Sequence, residues 1–543
     1  MTRSNHLRIA ILAALAGLST VPAAADDAAL LKQVETLRAA IDAQRTQLDE
    51  QAKLLEAQQA QLEALTRQIE QSRGAAQEAP QEVAQEVARQ APKMAAQEAP
   101  KLTFANNRPT ITAADGRSSI AFRSNVQLDG AMYGESPAGP LTSDFRRGSV
   151  GNVPNRENTA ARDFSDGFYF RRARFGVEGT IARDFNYRLL LELGGSGTEG
   201  PTRINDAWIA YSGFAPFSFQ LGAFSPPANM DDGTSPEDLP FLERATASEL
   251  SRSLGGADGR LGLGVKASGA RWMSALTFTT RTVNDAEVFD TQFAAVGRAG
   301  FLAATSDDYN LHLGASGTYV FSTVDQGQGA TPQHPLRFRD RPEIRVDSVR
   351  LVDTGALDAE HANAYGLEFG GNWKNFYLQG EHFWYDVERP QAAALPDPDF
   401  AGYYLQGSWI LTGERRRYNP VTGSFQNPRP MVPFSSKGGM GAFELAARYS
   451  RMNLNFMEGL EGTAPVPGAV RGGDQSITTL GLNWFPNSNV KVMLNYLMID
   501  VDRLNPAGPG NTTPFGPAPN TPPIGVEIGQ DLDVFALRTQ FSF

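Results

Sequence analysis

From Ile120 to the C-terminus, apolar and polar positions alternate in runs of about ten residues, each bounded by Gly, Pro, Asn or Asp. A period of two places successive side chains on opposite faces of a strand. The runs are 120–133, 168–182, 185–194, 203–213, 217–224, 260–269, 272–280, 290–304, 309–321, 362–373, 376–387, 400–412, 442–454, 475–485, 489–501 and 531–543, sixteen in all. Short turns (Arg183-Asp184, Gly213–Pro216, Gly269–Arg271, Thr305–Asp308, Lys374-Asn375, Pro486–Ser488) alternate with long links such as 134–167, 225–259, 322–361 and 502–530. An even strand number with alternating link lengths is the pattern of an outer-membrane barrel, short turns facing the periplasm. The expected fold is therefore all-β, a 16-stranded antiparallel transmembrane β-barrel over 120–543. One link, 413–441, falls on the short-turn side and is nonetheless long.

The two faces of the runs differ in chemistry. In the last, Phe535, Leu537, Phe541 and Phe543 share one face, and Arg538, Gln540 and Ser542 the other. In 489–501, Val490, Val492, Leu494, Tyr496 and Met498 alternate with Lys491 and Asn495. A soluble sandwich does not hold unpaired Arg and Lys on the inward face of several strands, because an apolar core cannot solvate them. A water-filled lumen can. Trp272, Trp373, Trp409 and Trp484 near run ends suit the interfacial girdles of such a barrel, although packing alone also accounts for them.

The N-terminal part has another texture. Arg3, His6 and Arg8 precede an apolar stretch from Ile9 to Leu18, and Ala23-Ala24-Ala25 supplies an A-x-A cleavage site, so 1–25 reads as a signal peptide. In 26–72 a 4-3 spacing sets one seam of Val34, Ile41, Leu48, Leu55, Leu62 and Ile69. The other reads Leu30, Leu37, Gln44, Gln51, Gln58 and Leu65. This repeat predicts an α-helical coiled coil in the periplasm, with a trimer favoured. Residues 73–119, rich in Ala, Gln, Glu and Pro up to Pro100, are expected to be a linker before the barrel.

Composition narrows the function. With no cysteine among 543 residues, disulfide scaffolds and thiol chemistry are excluded. The formal charge of −11 argues against nucleic acid as a partner. His312, His334, His361 and His382 form no H-E-x-x-H, and no G-x-S-x-G occurs, so neither an enzyme, a metal site nor a cofactor is expected. His312 and Ser316 share a strand face, which is read as pore lining.

What remains is permeation. Arg337, Arg339, Arg341 and Arg345 share one parity, followed by Arg350, and in an extended chain they would form a guanidinium ladder. Successive moderate sites let an anion enter and move on, and arginine keeps its charge and its fork geometry. A solvated loop, or one bound to lipopolysaccharide phosphate, is the alternative. Arg172 and Arg174 should face the lumen, while Arg171 has lipid-side parity, which calls for a bulge, a snorkelling head or a rim position. Arg188, Glu192 and Arg448 are further inward candidates, and Arg415-Arg416-Arg417 reads as a surface feature. Link 225–259 carries the opposing acids Asp231, Asp232, Glu237, Asp238, Glu243 and Glu249, with a helix expected over Pro236–Leu250. Folded inside, it would narrow the pore and set a transverse field against the arginines.

Several stretches resemble the phosphate-selective porin O/P family: Val126–Asp129, Phe170–Ala173, Asp206–Gly213, Gly222–Pro226, Tyr365–Glu368, the G-Y-Y-L-Q…L-T-G-E-R run at 402–415, Gly481–Trp484 and the closing F-S-F. The resemblance implies a homotrimer of sixteen-stranded barrels in the outer membrane, with an arginine ladder leading to a lysine-rich anion site. The ladder maps onto Arg337, Arg339, Arg341 and Arg345, with Arg171 and Arg172 as further matches. The implied lysine falls near Asp231-Asp232, and an arginine falls at Asn125. The expected partners are small anionic solutes such as phosphate, membrane lipid and lipopolysaccharide. The alternative is a non-selective porin, or an envelope tether whose coiled coil contacts peptidoglycan.

Overall fold

Each of the sixteen alternating runs forms a strand in the computed structural model: β1 (Ser119–Pro137), β2 (Gly167–Ile181), β3 (Phe185–Glu192), β4 (Arg203–Phe214), β5 (Phe217–Phe224), β6 (Arg260–Ser268), β7 (Trp272–Thr282), β8 (Phe293–Thr305), β9 (Tyr309–Ser322), β10 (His361–Trp373), β11 (Phe376–Glu388), β12 (Asp399–Ile410), β13 (Ala442–Phe456), β14 (Val470–Phe485), β15 (Val490–Asp502) and β16 (Gln530–Ser542). The structure describes residues 99–105, 108–137, 164–195, 203–506, 512–513, 516–517 and 524–543, and Arg38. Apart from Arg38, the signal peptide and coiled coil lie outside the described residues, as does the linker up to residue 98. The chain divides into two compact units, Met1–Gln97 and Glu98–Phe543, and everything below concerns the second.

Every strand pairs antiparallel with its sequence neighbours, and β16 closes the barrel on β1 from Gln530↔Pro137 to Ser542↔Asn125. Phe543 extends this seam, exchanging two backbone hydrogen bonds of 3.1 Å with Ser124. Closure gives each of the sixteen strands a partner on both sides. Below Asn125, however, β1 outruns β16. There a hairpin, Lys101–Ala105 with Arg108–Thr112, pairs with β1 from Thr110↔Ala121 to Thr112↔Ser119. These two described strands lie inside the stretch expected to be linker, because the exposed start of β1 offers backbone groups that a partner strand satisfies.

The alternation of faces is as the sequence dictates. On β16, Phe535, Leu537 and Phe541 are exposed outward, while Val534, Ala536, Arg538 and Gln540 are buried inward. The lumen is far from empty. Inward Phe383, Tyr385, Phe400, Leu497, Ile499 and Val534 form one apolar core with Leu242, Leu250 and Leu254 of link 225–259 and Phe338, Ile344 and Leu351 of link 323–360. Two links therefore pack against the inner wall of the barrel through one apolar core.

Candidate functional site

Link 225–259 crosses the lumen from β5 to the opposite wall. It holds two helices, α1 (Met230–Gly233) and α2 (Thr246–Gly255), rather than the one expected over Pro236–Leu250. The intervening residues cannot be helical because wall side chains take their backbone groups. Gln127 donates to the Pro236 carbonyl at 3.3 Å and Gln540 to that of Glu237 at 3.1 Å. Lys491 donates to Leu239 at 2.5 Å, Asn483 to Pro240 at 2.9 Å and Arg448 to Glu243 at 2.9 Å. The Leu242 N–H donates to Asn495 at 3.0 Å. Each helix N-terminus is met by a buried carboxylate from elsewhere, the arrangement favoured by its free N–H groups and dipole. Glu381 of β11 accepts from Met230 and Asp231 at 2.7 and 3.0 Å, and Glu343 of link 323–360 accepts from Thr246 at 3.0 Å.

Arg171 points inward. The register of β1 on β2 slips between Gln127 and Leu128, pairing them with Arg172 and Phe170 and leaving Arg171 as the extra residue of a β-bulge. Its guanidinium forks onto Glu243 at 2.7 and 3.0 Å. Arg538 joins the same carboxylate at 2.8 Å, and Arg345 at 3.3 Å. Burial alone would raise the Glu243 carboxyl, but the guanidinium groups of Arg171, Arg172, Arg538 and Arg345 hold it well below the usual range. Arg174 bridges Glu192 at 2.7 Å and Asp258 at 2.6 Å. Arg172 donates to the neutral Gln127 at 2.6 Å, and its buried Nε has no hydrogen-bond partner among the described residues. Arg188 lies between Glu178 and Asp206 with its guanidinium 5.4 Å over the Trp208 ring, and Arg448 pairs with Glu343.

Of the six acids singled out on link 225–259, Asp231, Asp232, Glu237 and Asp238 make no ion pair with the arginines of link 323–360 among the described residues. Asp232 pairs with Arg252 at 2.5 Å, Glu237 with Arg123 at 3.2 Å, and Asp238 accepts from the Asn427 N–H at 2.8 Å. Asp231 is buried, and burial pushes its carboxyl upward, as it does those of Glu237 and Asp238. It is Glu243 and Glu249 that meet Arg345, the latter at 3.0 Å.

The four-rung ladder is also only half present. Arg337 and Arg339 are exposed and alternate with buried Leu336, Phe338 and Asp340, as an extended chain requires. The alternation stops at Arg341, which is buried. The Glu343 N–H turns back onto the Arg341 carbonyl at 2.8 Å, with Glu343 at φ 56°, so Arg345 leaves on a new course. Arg337 forks onto Asp353, one contact being 2.6 Å. Arg339 and Arg350 have no carboxylate partner among the described residues.

The long link on the short-turn side, 411–441, supplies a third insertion. A hairpin, Arg417–Asn419 with Ser424–Gln426, enters the lumen, where Tyr418 and Phe425 pack with Met230 and Tyr377. Arg298 of β8 forks onto Glu368 of β10 and donates to the carbonyls of Thr422 and Gly423 at 2.7 Å each. Gly423 sits at φ 58°, and a Cβ there would lie 2.9 Å from Met273. His312 bonds both Glu368 and Tyr418 at 2.8 Å, so it is wholly engaged in holding this hairpin. Arg416 is not a surface residue: it is buried, forked onto Glu444 at 2.6 and 2.8 Å. The sequence signal for this insertion is Glu444 itself, an acid on the inward parity of β13 that demands a cation.

A family model for phosphate-selective porins O and P matches residues 146–513. An uncharacterised protein of Caulobacter vibrioides is 27% identical over 379 residues, 67% of this chain and 69% of that protein. Porin O of Pseudomonas aeruginosa is 24% identical over 387 residues, 67% of this chain and 83% of that one. Among solved structures, an anion-selective porin from Comamonas acidovorans is 13% identical with a TM-score of 0.43, covering 78% of this chain and 100% of its own. The family match spans well over half of the chain and falls on the barrel and its inserted links, and the chain belongs to the phosphate-selective porin O and P family of outer-membrane porins.

Proposed function

We propose that the barrel lets small solutes diffuse passively across the outer membrane with a preference for anions, phosphate and related oxyanions among them. One observation carries this reading. The acids of link 225–259 that come close to arginine are already engaged by it, whereas Arg339 and Arg350 make no ion pair with a carboxylate among the described residues. Burial, together with the neighbouring Arg341 and Arg339 guanidiniums, lowers Arg350 to about 10, a sign of crowded positive charge that an anion would relieve. Arg337, Arg341 and Arg345 extend this basic vestibule, and Arg171, Arg172 and Arg174 continue it on the wall. The barrel has no dedicated phosphate site in this reading, because acids stand at Asp231-Asp232 and an amide at Asn125, where the family resemblance implies lysine and arginine. A homotrimer agrees with the heptad seam of 26–72.

Phosphate competition with chloride current in planar bilayers tests the proposal. Added phosphate should reduce chloride current weakly and reversibly, and Arg339→Ala should abolish the effect. Chloride current indifferent to phosphate at every concentration would exclude oxyanion binding in the vestibule.

A further inference from the structure

The second half of link 411–441 turns the other way, out of the barrel. Phe434 meets Trp484 edge to face at 5.4 Å, and Trp484 stacks on Phe443 at 6.1 Å. Both partners have the outward parity of Leu445, Tyr449, Leu480 and Leu482, all exposed on the barrel exterior. Three hydrogen bonds fix this finger there: Phe434 N–H to the Pro486 carbonyl at 2.7 Å, Trp484 Nε1–H to the Met440 carbonyl at 2.8 Å, and Gly441 N–H to the Val432 carbonyl at 3.2 Å. Gly438 and Gly439, at φ 116° and 93°, make the reversal at its tip, beside Ser435, Ser436 and Lys437. The finger's large apolar side chains nonetheless lie open: Met431 68%, Val432 60%, Phe434 57% and Met440 68% exposed.

Such a cluster left in water forgoes the stabilisation that burying its apolar surface would bring. The surface beside it shows what covers it. At the same end of the barrel, Trp373, Phe376 and Trp409 stack outward in series, with centroids 6.1 and 5.8 Å apart, as an aromatic girdle does at the headgroup level. Phe443, Trp484 and Phe434 continue that series onto the finger. We propose that residues 431–440 form an interfacial anchor, covered by phospholipid of the inner leaflet. Met431, Val432, Phe434 and Met440 dip to the acyl boundary, and Lys437 stands at the headgroup phosphates. One link thus narrows the lumen with its first half and grips the membrane with its second.

The cysteine-free chain permits a direct test. Single nitroxide labels at Val432→Cys and Met440→Cys, in barrels reconstituted into phosphatidylethanolamine–phosphatidylglycerol liposomes, report collisions with oxygen and with a water-soluble nickel chelate. Leu480→Cys on the lipid face and Asp307→Cys in a short turn are the references. The oxygen-to-nickel ratio at both finger positions should be several-fold above that at Asp307→Cys and approach that at Leu480→Cys. A ratio equal to that at Asp307→Cys would place the finger in water and overturn the proposal. Low collision rates with both reagents would mean that protein covers it, and would overturn it equally. Either position suffices if the other variant fails to insert.

Discussion

Arg538 of β16 and Asp129 of β1 stand directly opposite each other across the seam where the barrel closes, joined by hydrogen bonds of 2.6 and 2.7 Å. Both side chains are fully buried, and the same guanidinium reaches Glu243 of link 225–259 at 2.8 Å. One arginine therefore ties the closing seam of the barrel to its constricting link.

Arg538→Ala should lower stability by about 3–5 kcal/mol, the cost of leaving a buried carboxylate without its partner. Urea unfolding in liposomes measures this. Single-channel conductance should rise and become noisier as link 225–259 loosens. Arg538→Lys should fall between the two, because it keeps the charge and loses the fork. An unchanged unfolding midpoint would remove the seam from the account.

Removing residues 418–425 and joining the ends with a short Gly-Ser turn should raise conductance without reversing ion selectivity. The deletion clears Tyr418 and Phe425 from the lumen, while Arg416 keeps Glu444 paired and link 323–360 is untouched. Single-channel recording compares the two, and equal conductance would show that this hairpin lies off the solute path.

Selectivity should also depend on pH. Burial pushes the Asp340 carboxyl up to about 7, against the pull of Arg345 at 3.9 Å. Below that pH the group is neutral and the arginines of link 323–360 act undiminished. Above it, a new negative charge offsets part of their field. Chloride-over-potassium permeability should thus fall between pH 6 and 8, by a factor of order two at the few-tenths-of-a-kcal/mol scale of a screened charge pair. Asp340→Asn should hold it constant at the low-pH value, and a slope that persists in this variant would assign the titration elsewhere.

Strands were legible because their information is local. Phe535, Leu537 and Phe541 against Arg538 and Gln540 specify both faces of β16 whatever surrounds them, and the wrong parity of Arg171 called for a bulge, a snorkelling head or a rim position, of which the register shows the bulge. The links were legible only in part, since their conformation is set by groups distant in sequence. Pro236–Leu250 looks helical until Gln127, Asn483, Lys491 and Arg448 take the carbonyls of its first part, and the helix begins only at Thr246. Arg341 and Arg345 share the parity of Arg337 and Arg339, yet Glu343 turns to cap α2 and redirects the chain. Arg416 seemed solvated because nothing nearby in the sequence reveals that its link doubles back to Glu444.

The zero-current potential of the wild-type channel across a KCl gradient tests the central claim most directly. If Arg339 and Arg350, which make no ion pair among the described residues, face the solute path as proposed, the potential should take the sign of a chloride-preferring pore, and it should move toward zero in the Arg339→Ala, Arg350→Ala double variant. A potassium-preferring sign in the wild-type channel would contradict the account.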